Sequence, residues 1–279
     1  MWKAILPENK NSLSELDTAL TNQNGHKKYN LNASERKIIA GIYKNYETLK
    51  GVAHEDLEGN DLSKKTKEVI RDLYGEVQEK GRLNSLRSRL LLEVNRCPCC
   101  SISVADELDH HLPRSKYSPI AIYSSNLVPI CHKCNNKKRT LAGEDPNERF
   151  IHVYYDQVPE NNQFLKMDHA IERDTLIFNF YVEKVEGLTD LMFEQISFQI
   201  ERVNLNKRLK KEVNTFLSSF AVGMKIAYGD ERKENVKRFL SENGKYFEAK
   251  FGLNDWRTVL LYKLAECDIF CDGAFSRIL

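Results

Sequence analysis

The sequence lacks the features typical of membrane, secreted and disordered proteins. Its uninterrupted apolar runs are only a few residues long, so no transmembrane helix is expected. The first residues have no apolar core of the kind found in secretion signals, and we therefore expect a cytoplasmic protein. The net charge is only +2, so the overall charge indicates no particular class of partner. The 279 residues are 41% apolar, however, which is enough to bury a sizeable core.

Three regions differ in their residue patterns. Residues 1–95 carry apolar residues at helical spacing, and Asn32 and Glu35 form an Asn-x-x-Glu pattern that predicts the start of a helix. Residues 96–145 are short pieces interrupted by Pro and Asn. Residues 146–279 begin with stretches in which apolar and polar residues alternate, and continue with stretches whose apolar residues are spaced as in amphipathic helices. The sequence therefore predicts an N-terminal helical region, a central core and a C-terminal region with these boundaries.

The C-terminal region contains the clearest strand signals. Residues 164–167 and 175–182 alternate or are rich in β-branched and aromatic residues, which predicts a short antiparallel sheet with a turn between the strands. Asn254 and Asp255 are expected to cap the last of the helices that follow. The predicted fold class is mainly α with a small α+β part.

Seven cysteines include two Cys-x-x-Cys pairs, Cys97 with Cys100 and Cys131 with Cys134. Two intervening residues let a tight turn direct both sulfurs to one tetrahedral ion, so the pairs predict a closed, structural zinc site. Unligated buried cysteines and a redox dithiol are the alternatives. The remaining cysteines are expected to lie outside the site; they are Cys99, Cys267 and Cys271.

The segment between and just after these pairs contains a second pattern. It has Asp109-His110 with Pro113 three residues past the His, then Asn126, then Asn135 directly after the second Cys pair. A Lys follows soon after Asn135. The order of these residues closely resembles the motif of the HNH endonucleases, the ββα-metal nucleases. The resemblance covers about one sixth of the chain. It implies a central ββα-metal core, with Asn135 in place of the last His of the family name, as in many members.

The resemblance also implies roles for these residues. His110 is expected to be the general base that takes a proton from the attacking water, since a neutral His can do so near pH 7. Asp109 and Asn135 are expected to hold a catalytic Mg²⁺ or similar cation through oxygen atoms. Asn126 is expected to tie the loop to the hairpin. An alternative assignment, with His110 on the metal and His111 as base, stays open.

Local charge favours a nucleic-acid substrate. Between His110 and Gly143 there are six Lys or Arg residues and no Asp or Glu, which suits contacts to backbone phosphates. Arg114 and Lys138 are the expected phosphate contacts. The sequence thus predicts a metal-dependent endonuclease acting on DNA, although an RNase would use the same machinery. The alternative from another class is a non-catalytic, zinc-stabilised module that binds nucleic acid or protein.

A weaker resemblance concerns the flanking regions. The tract at residues 150–154 and the strands after it loosely resemble the C-terminal parts of HNH proteins of bacterial anti-phage defence, many of which work with a separate ATPase subunit. That resemblance implies DNA and an ATPase as partners and a role as a defence effector. The chain has no Walker-type Gly-x-x-x-x-Gly-Lys loop, so nucleotide control is expected to come from the partner.

Overall fold

The computed structural model describes residues 2–229 and 232–279. About half of these residues are helical, and this part of the chain also contains two antiparallel sheets of two strands each. The expectation of a mainly α chain with a small amount of sheet is confirmed at this level. None of the helices in the two described ranges is both long enough and apolar enough to cross a membrane.

The described residues form two compact units. The first unit contains residues 2–99 and 103–157, and the second contains residues 100–102, 158–229 and 232–279. The sequence pattern places boundaries at 95 and 145 because it separates helical periodicity from short irregular pieces. In the structure, the N-terminal helices and most of the Cys-rich segment share one hydrophobic core, so they fall into the same unit.

Residues 2–95, which include four helices, supply most of the hydrophobic cluster in the core of the first unit. Asn32 caps one of them as predicted, since its side chain accepts from the Glu35 amide at 2.9 Å and the Glu35 carboxylate accepts from the Asn32 amide at 3.0 Å. Leu108 and Leu127 of the Cys-rich segment are buried in the same core. Full burial of such a leucine stabilises the fold by about 1.5–3 kcal/mol. The helices are α1 (Ser12–Ala19), α2 (Ala33–Leu49), α3 (Lys64–Asp72) and α4 (Asn84–Leu92).

The Cys-rich segment forms a hairpin followed by a helix. Its elements are β1 (Glu107–His110), β2 (Leu127–Ile130) and α5 (His132–Lys138). The two strands are antiparallel, with Asp109 opposite Val128 in the register. Cys131 lies between β2 and α5 and is the N-cap of the helix. The local order is therefore strand, strand, helix.

The second unit contains the other hairpin, made of β3 (Leu165–Glu172) and β4 (Thr175–Val182). The strands pair antiparallel over their whole length. Arg173 and Asp174 both have left-handed φ angles, 45° and 61°, which is the geometry of a two-residue hairpin turn. The predicted strands and turn are confirmed, and β3 runs five residues beyond its predicted end.

Helices complete the second unit. The Asp255 carboxylate accepts from the Arg257 amide at 3.0 Å, so the predicted cap is confirmed. The same carboxylate forms a buried ion pair with the Arg257 guanidinium at 2.8 Å. The helices are α6 (Asp190–Arg202), α7 (Leu205–Ser218), α8 (Ala221–Tyr228), α9 (Lys233–Phe251), α10 (Trp256–Ala265) and α11 (Phe275–Ile278).

Candidate metal centre and candidate active site

The four cysteines of the two Cys-x-x-Cys pairs meet in a buried cluster. The Sγ atoms of Cys97, Cys100, Cys131 and Cys134 all lie within 4.8 Å of one another. A zinc ion with Zn–S bonds of about 2.3 Å would hold sulfurs roughly 3.8 Å apart, so the set fits a tetrahedral ion. The predicted grouping is confirmed. Cys99 is buried outside the cluster.

Local structure explains how the second pair reaches the cluster. Cys131 directly follows β2 and is the N-cap residue of α5, and Cys134 lies three residues later in the first turn of that helix. Residues three apart in a helix lie on the same face, so both sulfurs can point to one position. The next residue, Asn135, follows on the same helix. The cysteine cluster therefore anchors the start of the helix that carries part of the candidate active site.

Asp109 is buried and paired with Lys138. Its Oδ2 atom lies 2.7 Å from the Lys138 Nζ, and the two side chains are only 10% and 4% exposed. Lys138 also donates to the His110 carbonyl oxygen at 2.7 Å. Burial raises the pKa of the Asp109 carboxyl, and the charge of Lys138 and its hydrogen bond oppose this rise without cancelling it.

The position of Lys138 differs from the one expected for a phosphate contact. A backbone phosphate is reached from the protein surface, whereas this ammonium group is buried and already neutralises Asp109. The sequence shows the cationic run but not which of its members folds inward. In the structure Lys138 is a buried counter-ion of Asp109.

His110 is held by its Nε2 atom, which lies 2.8 Å from the Ala121 carbonyl oxygen. A carbonyl can only accept, so Nε2 carries the proton, and Nδ1 is the ring atom able to take one. The ring packs against Tyr74 with centroids 4.4 Å apart. Burial, together with the nearby charges of Arg114 and Lys138, lowers the pKa of His110 to about 3, so the ring is neutral at pH 7.

Asn135 is hydrogen-bonded to Glu107, a residue outside the motif that resembles the HNH endonucleases. Its Nδ2 donates to Glu107 Oε2 at 2.7 Å, and the other Glu107 oxygen lies 2.6 Å from His132 Nδ1. Burial raises the pKa of Glu107, but the hydrogen bonds from Asn135 and His132 lower it by more, so the carboxylate is ionised at neutral pH. The spacing of Glu107 from Asp109, two residues on one strand, is the signal that could have identified it.

Asn126 is fully buried and connects the two ends of the loop between β1 and β2. Its Oδ1 accepts from the Leu112 amide at 2.8 Å, and its Nδ2 donates to the carbonyls of Leu112 at 3.0 Å and Ile120 at 3.2 Å. The Tyr46 hydroxyl of α2 donates to the same Oδ1 at 3.1 Å. Since every polar atom of the amide is engaged, the side chain is arranged for support of the loop.

His111 faces the interior. Its ring packs against the buried His152 with centroids 3.9 Å apart, and His152 Nε2 lies 3.0 Å from the Tyr46 hydroxyl. Burial lowers the pKa of both histidines well below the ordinary value. His111 is buried, as His110 is, and its ring faces His152. Neither His152 nor Tyr46 could be linked to this segment from the sequence, because both come from distant parts of the chain.

Arg114 lies beside the candidate base. Its guanidinium stacks over the Tyr74 ring, 5.1 Å from the centroid, and Nη1 donates to the Arg71 carbonyl at 3.0 Å. The side chain is half-buried. Both the His110 ring and the Arg114 guanidinium therefore pack against the Tyr74 ring.

The two expected magnesium ligands, Asp109 and Asn135, thus lie in one ββα unit, but each is paired with a different residue. Asp109 pairs with Lys138, and Asn135 pairs with Glu107. Among the hydrogen bonds and ion pairs of residues 2–229 and 232–279, none joins Asp109 to Asn135. Carboxylate and amide oxygens suit Mg²⁺ chemically, and the Asp109 carboxylate already has an ammonium group against it.

Comparison with known proteins adds one relative. No family model matches the chain, and no solved structure matches it. The chain is similar to protein ea31 of Escherichia phage lambda, with 24% identity over 189 residues. The match spans 64% of this chain and 64% of the phage protein.

Proposed function

We propose that this protein is a metal-dependent endonuclease that hydrolyses phosphodiester bonds in DNA. The observation that carries the proposal is the ββα unit, in which Asp109 and His110 lie on β1 and Asn135 lies on the helix that follows β2. The cluster of four cysteines, two of which lie at the start of that helix, supports a structural zinc ion. A binding module has no need for an acid, a base and an amide at these positions.

The chain's own residues supply distinct parts of the proposed reaction. His110 accepts the proton of the attacking water at Nδ1, since Nε2 is protonated and bound to the Ala121 carbonyl. Asp109 and Asn135 are the residues that would hold a divalent cation through oxygen atoms. When bound, such a cation stabilises negative charge on the phosphate and on the leaving oxygen.

A bound phosphodiester would change the surroundings that lower the pKa of His110. A group with a pKa of about 3 is a weak base at pH 7. A phosphodiester brings negative charge, which raises the pKa of a nearby imidazole and offsets the effect of Arg114 and Lys138. The protein alone is thus expected to hold His110 in a poorly basic state that becomes more basic with the nucleic acid present.

Cleavage of supercoiled plasmid tests the proposal. The wild type is incubated with Mg²⁺, without added metal and with EDTA, beside His110→Ala and the matched control His26→Ala, whose exposed histidine lies far from the site in sequence. We expect Mg²⁺-dependent cleavage that His110→Ala reduces by about 10²–10⁴-fold, the usual contribution of a general base. The zinc content of each sample is measured, because EDTA also competes for the structural ion. An RNA substrate in parallel distinguishes a DNase from an RNase.

A specific observation favours the alternative function. The buried ion pair between Lys138 and Asp109 leaves the candidate metal ligand neutralised, as a non-catalytic zinc module would tolerate. Such a module would bind DNA with unchanged affinity after His110→Ala and would cleave nothing under any metal condition. That result would replace the nuclease by a binding module.

The proposed place of the nuclease in anti-phage defence follows from the weaker resemblance. In that role the regions flanking the ββα unit would bind an ATPase subunit that restrains or activates cleavage. Gel filtration of the chain with candidate ATPases should then show a complex. Unrestrained cleavage by the isolated chain, with no complex formed, would end this part of the proposal.

A further inference from the structure

Glu107 and Asp109 lie on the same face of β1, two residues apart. Asn135 and Lys138 lie on the same face of α5, three residues apart. The distance along a strand over two residues, about 6.6 Å, is close to the separation of about 5–6 Å between helix residues three apart. The helix therefore meets the strand in two matched contacts, Asn135 with Glu107 and Lys138 with Asp109.

The contact with Glu107 decides which atom of the Asn135 amide faces away from it. A carboxylate only accepts hydrogen bonds, so the amide turns its NH₂ group to Glu107, with Nδ2 2.7 Å from Oε2. The amide oxygen then points elsewhere. Only the oxygen can bind a hard cation, because the amide nitrogen has no lone pair available for one.

Glu107 is itself fixed. One oxygen accepts from Asn135, and the other lies 2.6 Å from His132 Nδ1, so each carboxylate oxygen has one partner on α5. The side chain is 33% exposed. With both oxygens bonded to the helix, Glu107 is placed to hold the Asn135 side chain in one orientation.

From these contacts we propose that Glu107 is a positioning residue of the metal site, which orients the Asn135 amide so that its oxygen is available to the cation. The inference rests on the proposed function, in which Asn135 is a metal ligand. Residues that orient metal ligands typically affect metal affinity by 10–100-fold. This role predicts that Glu107 affects metal affinity only while the side chain at position 135 is an amide, with an oxygen at one terminal position and an NH₂ group at the other.

An aspartate at position 135 provides the sharpest test, because it presents an oxygen whichever way it turns. Glu107→Ala is made in the wild type and in Asn135→Asp, with Glu172→Ala, an exposed strand glutamate of the second unit, as the matched control. Metal affinity is measured with Mn²⁺ by loss of the free-ion EPR signal, which needs no cleavage. Mn²⁺ prefers the same oxygen ligands as Mg²⁺ and competes weakly for thiolates. Mg²⁺-dependent plasmid cleavage is measured on the same samples.

We expect Glu107→Ala to weaken Mn²⁺ binding by about 10–100-fold and to raise the Mg²⁺ concentration for half-maximal cleavage by the same factor. In the Asn135→Asp background it should weaken neither, since it also removes a carboxylate that would repel Asp at 135. Zinc content and the Glu172→Ala variant should be unchanged.

Two outcomes would overturn the inference. Wild-type Mn²⁺ affinity in Glu107→Ala would show that Glu107 does not orient a ligand, and an equal loss in both backgrounds would show general structural damage. If the wild type binds Mn²⁺ and the variants follow the expected pattern without cleavage, the positioning role stands and the nuclease proposal fails. If the wild type binds Mn²⁺ and cleaves DNA but the variants do not follow the expected pattern, the nuclease proposal stands and the positioning role fails.

Discussion

The buried pair of Lys138 and Asp109 gives the most demanding test of the candidate site. Lys138→Met keeps the length of the side chain but removes its charge, which leaves the Asp109 carboxylate buried with only a backbone donor. It also removes the donor to the His110 carbonyl. Breaking a buried pair by removing one partner typically costs about 3–5 kcal/mol. A domain of ordinary stability, about 5–15 kcal/mol, would lose a large part of its free energy of unfolding.

Removing both charges should cost less than removing one. In Lys138→Met with Asp109→Asn no uncompensated charge stays buried, so we expect the double variant to be more stable than Lys138→Met alone. The coupling energy from the four proteins should be about 1–3 kcal/mol. Urea unfolding followed by circular dichroism, at constant zinc content, provides the four values. Lys133→Met, an exposed lysine of the same helix, is the control and should lie within about 0.5 kcal/mol of the wild type.

Additive effects would refute this reasoning. If the two single losses sum to the double loss within about 0.5 kcal/mol, the groups do not interact in the folded protein. The pair also predicts a link to metal binding, since a cation at Asp109 could take over the role of the ammonium group. Mg²⁺ should therefore stabilise Lys138→Met more than it stabilises the wild type.

Two further predictions concern the zinc cluster and the buried histidines. Cys134→Ser should lose its zinc and unfold the ββα unit, because structural zinc binding contributes directly to folding. Cys99→Ser, outside the cluster, should keep one zinc per chain by metal analysis. Zinc retained by Cys134→Ser would contradict a zinc site at the four cysteines. His152 has a folded-state pKa well below its ordinary value of 6.5 because of burial, so the unfolded state binds the extra proton and stability falls as pH drops below about 6.5. His152→Gln should reduce this slope by at most about 1.36 kcal/mol per pH unit, the value for one proton. A slope equal to that of the wild type would show that His152 binds its proton as readily in the fold as in the unfolded chain.

Features that depend on neighbouring residues could be predicted from the sequence. The cap at Asn32, the cap at Asp255 and the hairpin turn at Arg173 each involve residues within a few positions of one another. The grouping of the cysteines was also predictable, because Cys-x-x-Cys spacing limits each pair to one tight turn.

Features of the candidate site that depend on distant segments could not be predicted in this way. The sequence shows a cationic run after Cys134 but not that Lys138 turns inward to Asp109, a contact across 29 positions of the chain. It places Asn135 near a metal site but gives no indication that Glu107 orients it. His152 joins His111 only through the packing of the first unit.

The local elements, and the types of residue that can perform the proposed chemistry, follow from the order of the amino acids, because caps, turns and ligand spacings act over a few bonds of backbone. The tertiary structure alone decided which of these groups are buried, which charges are neutralised and which ring nitrogen carries a proton. Those properties depend on the loss of water and on partners brought in by packing, and a linear pattern of residues contains neither.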